Sequence, residues 1–116
     1  MFAIRREQVE ALERAATKKF EDRMVVHLSG AFKEECQSLG ETGVRALIQL
    51  GIRRSRAYGI VTERDVCKYV EVMFILGKDY DRDPRHAWAR DTLTDCGIKY
   101  PADRIKAVRE QAGERK

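Results

Sequence analysis

Three aspartates at alternate positions, Asp79, Asp81 and Asp83, form the run in this sequence that most resembles a metal-binding loop. Such a run opens the calcium loop of an EF-hand, which also requires glycine at its sixth position and glutamate at its twelfth. This chain has Pro84 and Arg90 there, so the flexible turn and the bidentate ligand are both missing. The sequence therefore predicts no calcium site, and instead an acidic loop that caps the next helix and attracts a basic partner.

The strongest local excess of positive charge is formed by Arg53, Arg54 and Arg56, which Tyr58 follows. Arginines can neutralise nucleic-acid phosphates, and a helix-turn-helix could be drawn through this region. Against that interpretation, the next predicted helix begins with carboxylates, and cations are also favourable at the C-terminal end of a helix. We predict that these four residues and the three aspartates of the acidic loop belong to a protein interface, and nucleic-acid binding is the alternative.

The histidines and cysteines show no spacing that predicts a metal or redox site. Neither His27 nor His86 is followed three or four positions later by a Cys, Asp or Glu on the same helix face. Cys36, Cys67 and Cys96 form no CxxC pair, so a zinc or redox site would have to be assembled across the fold. We expect no metal or cofactor, and reduced thiols with Cys67 in the core. We expect His27 on the apolar face of the first helix, in the core or at its boundary.

Motifs of common enzyme classes are also missing. The glycines are isolated, and neither GxGxxG nor GxxxxGK occurs, so no phosphate-binding loop is predicted. There is no GxSxG nucleophile elbow, and no cysteine is spaced to pair with a histidine as a nucleophile and its base. We therefore expect a protein without catalytic residues that is not an enzyme.

Apolar residues recur at spacings of three and four along the first half of the chain, which predicts helices. The first predicted helix runs from about residue 5 to Gly30. A second is predicted after Ser38 and Glu41, which have the spacing of a capping box, and it continues to Ala57 with Gly59 as its cap. A glycine inside this helix, at position 51, marks either a close helix contact or a break. The apolar stripe of the first helix is Val9, Leu12, Ala16, Phe20, Met24, His27 and Leu28.

The second half of the chain contains three further helices, each with a recognisable start. The last of them is predicted to be short and to end in a frayed tail over residues 113–116. Together the five predicted helices give an all-α fold, a compact bundle with a long N-terminal helix in one domain over residues 1–116. The residues that mark the predicted starts and ends are Thr62, Gly77, Asp83, Pro84, Gly97 and Pro101.

Size and charge agree with one small helical domain. A chain of 116 residues is long enough for a single core. The net charge of +4 is modest, and because basic and acidic residues alternate, most of it should cancel on solvated helix faces. The first residues become charged too early for a secretory signal, and the longest apolar run, residues 70–77, is too short to span a bilayer. We expect a cytoplasmic protein that does not enter a membrane.

Several runs between about residue 4 and residue 95 carry a family likeness. They are Ile4-Arg5-Arg6-Glu7-Gln8, Phe20-Glu21-Asp22-Arg23-Met24-Val25-Val26-His27-Leu28, Leu47-Ile48, Gly51-Ile52, Ala57-Tyr58-Gly59-Ile60, Thr62-Glu63-Arg64-Asp65-Val66, Tyr69, Met73, Gly77, Asp79-Tyr80-Asp81-Arg82-Asp83-Pro84 and Trp88-Ala89. In these runs the chain resembles a group of small helical proteins of uncharacterised function, encoded beside type VI secretion effector and spike-tip genes. The group usually has a proline after the first helix, where this chain has Ala31-Phe32-Lys33.

The resemblance implies an accessory role, such as an adaptor or a chaperone that holds an effector, and it supplies no catalytic residues. We therefore expect a non-enzymatic protein that binds a secreted effector or a spike-tip protein through packing of helix faces, with charged residues giving specificity. The alternatives are an immunity protein for a neighbouring toxin and a small basic nucleic-acid-binding protein.

Overall fold

The computed structural model of the protein describes the backbone of residues 6–115 and the side chains of residues 15–114. Within that range the chain forms five α-helices and no strand, which confirms the all-α class and the five-helix bundle. A single turn of 3-10 helix, Pro84–His86, leads directly into the fourth helix. The helices are α1 (Arg6–Ala31), α2 (Lys33–Arg56), α3 (Glu63–Leu76), α4 (Ala87–Leu93) and α5 (Pro101–Arg115).

The start of α2 differs from the prediction. Only Phe32 separates α1 from α2, and its buried side chain fixes the turn between the two helices. The predicted start near Glu41 is instead a kink within a longer helix, at Gly40, whose φ of 73° and ψ of 167° are not helical. Glycine adopts such a φ without steric cost, so it can interrupt the helix while both flanking segments remain helical.

Gly51 marks a close contact between helices, the first of the two alternatives that its position suggested. It is buried, and α2 continues through it without a break. A Cβ atom at this position would lie 2.6 Å from Cγ2 of Val70 and 3.1 Å from Sδ of Met73, both on α3. The missing side chain therefore sets how closely α2 and α3 pack.

The third helix begins and ends as predicted and lies at the centre of the bundle. The Thr62 hydroxyl accepts a hydrogen bond from the Asp65 backbone N–H at 3.3 Å, and Gly77 caps the other end with a φ of 115°. The helix packs against α1, α2 and α5. Its buried residues are Val66, Tyr69, Val70, Val72 and Met73.

The fourth helix starts at the predicted cap and ends earlier than predicted. The Asp83 side chain accepts a hydrogen bond from the Arg85 backbone N–H at 2.9 Å, immediately before the proline-led turn. At the other end α4 stops at Leu93 rather than at Gly97, since the backbone of Thr94 is no longer helical, with a φ of −108° and a ψ of 9°. The residues that follow form a turn.

The last helix is longer than predicted. It runs for 15 residues and includes Gly113, where the prediction placed a frayed tail. Its apolar face is buried at Ile105, Val108 and Ala112, so packing against α3 and α4 extends the helix beyond what its polar composition suggests.

The core follows one face of each helix. Ala16 and His27 depart from the predicted stripe of α1 because both are exposed, and Val9 and Leu12 lie outside the described side chains. Phe20, Met24 and Leu28 are buried as predicted, and His27, predicted in the core or at its boundary, has a side chain that is 49% exposed. It lies at the edge of that face, beside α3. Cys67, predicted in the core, is half-buried.

Among the helices of residues 6–115, none has both the length and the apolar character needed to span a membrane.

Candidate functional site

The predicted basic run and acidic loop lie next to each other, because the end of α2 packs beside the loop that joins α3 to α4. The Arg54 guanidinium donates from Nη1 to Asp79 Oδ1 at 2.6 Å and to the Lys78 carbonyl at 2.8 Å. Its side chain is only 18% exposed. This ion pair joins the loop to α2, and the charge of Arg54 is compensated by Asp79 within the molecule.

A second contact, between Tyr58 and Asp81, ties the same loop to the interior. The Tyr58 hydroxyl donates to Asp81 Oδ2 at 2.7 Å, and Asp81 is only 3% exposed. The Tyr58 ring lies against Tyr69, and Tyr69 lies against Tyr80, with centroids 6.2 and 5.2 Å apart. Burial, together with the Asp81 carboxylate, raises the pKa of Tyr58 to about 12. These residues form a buried polar cluster rather than an exposed surface.

The other predicted interface residues stay near the surface. Asp83 is held by Arg85, which donates from Nη2 to Asp83 Oδ2 at 2.8 Å. Hydrogen bonds from the Arg85 side chain and backbone lower the pKa of Asp83 to about 2. Arg53 and Arg56 are exposed at the end of α2. The structure thus brings together four of the seven residues, Arg54, Tyr58, Asp79 and Asp81, and their contacts are intramolecular.

A different surface, which we call the α2–α3 cleft, has the shape of a binding site. It has a volume of about 440 Å³ and is open to solvent. It is formed by both segments of α2, before and after the kink at Gly40, and by the second half of α3. The residues that line it are Glu34, Glu35, Ser38, Leu39, Leu47, Met73 and Phe74.

The α2–α3 cleft combines an apolar floor with an acidic edge. Leu39 is 44% exposed, and the half-buried Phe74 stacks on Phe32 with ring centroids 5.3 Å apart. Glu34 and Glu35 are exposed at the edge, and neither takes part in an ion pair with the side chains of residues 15–114. The cleft therefore offers apolar contact flanked by two carboxylates that have no ion pair among the described side chains.

The sequence did not predict the cleft, because its residues come from three helical segments. The relative orientation of the two α2 segments depends on the kink at Gly40. The available signal was Leu39, a leucine directly before a glycine that lies outside the predicted apolar stripes. A leucine that no stripe accounts for, beside a residue able to kink a helix, is a mark of an exposed apolar contact.

Three side chains with metal-ligating atoms also converge at the edge of the α1–α3 contact. His27, Cys67 and Glu71 each offer one such atom, and the three atoms lie within 4.8 Å of one another. The spacing from each histidine gave no indication of this group, since His27 lies on α1 and the other two on α3. Cys67 and Glu71, four positions apart on one helix, were the visible part of the pattern.

Comparison with known proteins adds no family assignment. No family model, curated protein or solved structure matches this chain. Its function must therefore be proposed from the geometry and the charge of the surfaces described above, which are the cleft and the group of three ligating side chains.

Proposed function

We propose that this protein is a non-enzymatic accessory that binds another protein through the α2–α3 cleft. The observation that carries the proposal is the cleft itself, which has partly exposed apolar side chains on its floor and, at its edge, two carboxylates that form no ion pair with the side chains of residues 15–114. The occupant that fits this surface is a segment with a large apolar side chain flanked by lysine or arginine.

The apolar floor supplies the attraction. Leu39, Leu47 and Phe74 present partly exposed apolar atoms to one depression, and an apolar side chain of a partner would bury that surface together with its own. Full burial of one leucine-sized or phenylalanine-sized side chain contributes about 1.5–3 kcal/mol. Helix grooves recognise apolar anchors of partner segments in this way.

The two glutamates supply the preference between partners. Carboxylates beside an apolar groove favour cationic flanks and disfavour acidic ones, which affects specificity and association rate more than final affinity. Glu34 and Glu35 also lie in the first turn of α2, where negative charge favours the helix. A partner that brings lysine or arginine to this edge therefore meets two carboxylates in the first turn of α2.

The partner that we propose, on the basis of the resemblance described for the sequence, is a secreted effector or a spike-tip protein. The proposed role is that of an adaptor or chaperone. Arg53 and Arg56, exposed at the far end of α2, remain predicted contacts for a larger partner surface. The Arg54, Tyr58, Asp79 and Asp81 side chains have internal partners, so we assign them first to stability.

A peptide experiment tests the cleft directly. The probe is an amphipathic peptide with two leucine anchors flanked by lysines. The control peptide has glutamates in place of the lysines, and the binding of both is followed by fluorescence anisotropy. We expect the lysine peptide to bind, and Leu39→Asp or a double Glu34→Lys, Glu35→Lys variant to weaken it at least about tenfold, the effect of losing about 1.4 kcal/mol. Val61→Asp is the matched control, because Val61 is 72% exposed and lies outside the cleft.

Affinity purification from the native host then extends the test to the natural partner. The wild-type protein and Val61→Asp should retain the same partner in near-stoichiometric amount, and Leu39→Asp should lose it. Retention of that partner by Leu39→Asp would remove the cleft from the proposed function. Recovery of a nuclease-sensitive set of proteins from all three would favour the nucleic-acid alternative instead.

A further inference from the structure

The group of three ligating side chains at the α1–α3 contact has the geometry of a metal site. His27 Nε2 lies 3.6 Å from Glu71 Oε2, and Cys67 Sγ lies 3.6 Å from Glu71 Oε1. Cys67 and Glu71 are one helical turn apart on α3 and point to the same side, while His27 reaches them from α1. Glu71 thus stands between the other two ligands, with one oxygen toward each.

The two 3.6 Å separations end at different oxygens of Glu71, and each is close to the distance between two ligands of one tetrahedral ion. Zinc is bound at about 2.3 Å from sulfur and about 2.0–2.2 Å from nitrogen or oxygen, so two of its ligands lie about 3.4–3.6 Å apart. The ligating atoms of His27, Cys67 and Glu71 are all within 4.8 Å of one another. Only small side-chain rotations would be needed to place an ion between them.

We propose that His27, Cys67 and Glu71 bind a divalent transition-metal ion, with zinc as the best fit. Nitrogen, thiolate and carboxylate together suit zinc, whereas calcium and magnesium prefer oxygen alone. Three protein ligands leave a fourth position for water or for a donor atom of a partner protein. An ion at this point would join α1 to α3 and would not depend on occupancy of the α2–α3 cleft.

The surroundings of the three ligands suit this assignment. The Glu71 side chain is 15% exposed and accepts a hydrogen bond from Arg109 Nη2 at 3.5 Å, so α5 supplies the kind of outer contact that orients a ligating carboxylate. The half-exposed His27 ring leaves a path for the ion from solvent. Thiolate and carboxylate together neutralise a divalent ion, so the occupied site carries no net charge before Arg109 is counted.

Cobalt(II) titration provides the test, because cobalt replaces zinc and reports thiolate ligation by a charge-transfer band in the near ultraviolet. We expect one cobalt ion per chain, visible ligand-field bands of tetrahedral intensity, and displacement of the cobalt by zinc. The Cys67→Ser variant should lose the charge-transfer band, and His27→Gln should keep its fold and bind at least about tenfold more weakly. Cys96→Ser, at an exposed cysteine in the turn after α4, should behave as wild type.

Thermal unfolding supplies a second readout. Zinc should raise the melting temperature of the wild-type protein and of Cys96→Ser, and should leave that of Cys67→Ser unchanged. The proposal is overturned if the reduced wild-type protein gives no thiolate charge-transfer band, or if the band survives in Cys67→Ser and disappears in Cys96→Ser. The cleft variant Leu39→Asp should retain full metal binding, so the two proposals can fail independently.

Discussion

Removal of a single oxygen atom, by Tyr58→Phe, should measurably destabilise this fold. The Tyr58 hydroxyl donates to Asp81 Oδ2 at 2.7 Å, and Asp81 is 3% exposed. The other oxygen of that carboxylate, Oδ1, is buried without a hydrogen-bond partner among the described residues. The variant therefore leaves both oxygens of a buried carboxylate unpaired, while the aromatic ring keeps its packing.

The magnitude follows from the charge and burial of the acceptor. A hydrogen bond to a charged group contributes about 1.5–3 kcal/mol, and leaving its buried partner unpaired costs about 1–3 kcal/mol. We expect a loss of about 2 kcal/mol in the free energy of unfolding. With a denaturant slope of about 2 kcal/mol per molar urea, the unfolding midpoint should fall by about 1 M.

Urea unfolding at pH 7, followed by far-ultraviolet circular dichroism, measures this effect. Tyr100→Phe is the control, because Tyr100 is 56% exposed and the loss of an exposed hydroxyl should change stability by less than about 0.5 kcal/mol. A Tyr58→Phe midpoint equal to that of Tyr100→Phe would refute the buried cluster. Tyr58 would then be available to a partner, as its position in the sequence predicted.

The pH dependence of the same variant gives an independent check. Because burial and Asp81 raise the pKa of Tyr58 from its ordinary value of 10.0 to about 12, the folded state favours the neutral phenol. That stabilisation is complete below pH 10 and is lost as the pH rises from 10 toward 12. The stability difference between wild type and Tyr58→Phe should therefore narrow over that interval.

Two further substitutions and one acid titration test other parts of the fold. Gly51→Ala should cost about 1 kcal/mol, because crowding against Val70 outweighs the gain in helix propensity. Gly30→Ala, with no atom within 4 Å of the new methyl, should instead stabilise by about 0.5 kcal/mol in the same urea assay. Since Arg85 lowers the pKa of Asp83 from 3.8 to about 2, the stability advantage of wild type over Asp83→Asn should disappear as the pH falls from 4 to 2.

The features that the sequence predicted correctly depend on short-range chemistry. Thr62 and Asp83 cap the helices that follow them, because a side-chain oxygen needs only the next few backbone N–H groups to do so. Gly77 ends α3 for a similarly local reason. Helix existence and the buried stripes of α1 and α3 follow from periodicity, which is also contained within single segments.

The features that were missed depend on how segments meet. The capping pattern predicts a helix start where the structure has the kink at Gly40, because that pattern does not say whether the preceding residues are helical too. Whether His27 lies inside the core or beside Cys67 and Glu71 depends on the rotation of α1 against α3. The α2–α3 cleft likewise requires a kink angle and a crossing point that no single-segment pattern contains.

The central position of α3 has a consequence for the order in which the molecule can be completed. On a ribosome α3 emerges together with α1 and α2, yet its contact with α5 must wait until residues 101–115 have been synthesised. Until then, part of its apolar surface faces the cellular environment, and exposed surface of that kind promotes aggregation of incomplete chains. Interruption of translation after α3 would therefore yield an aggregation-prone fragment rather than a smaller stable protein.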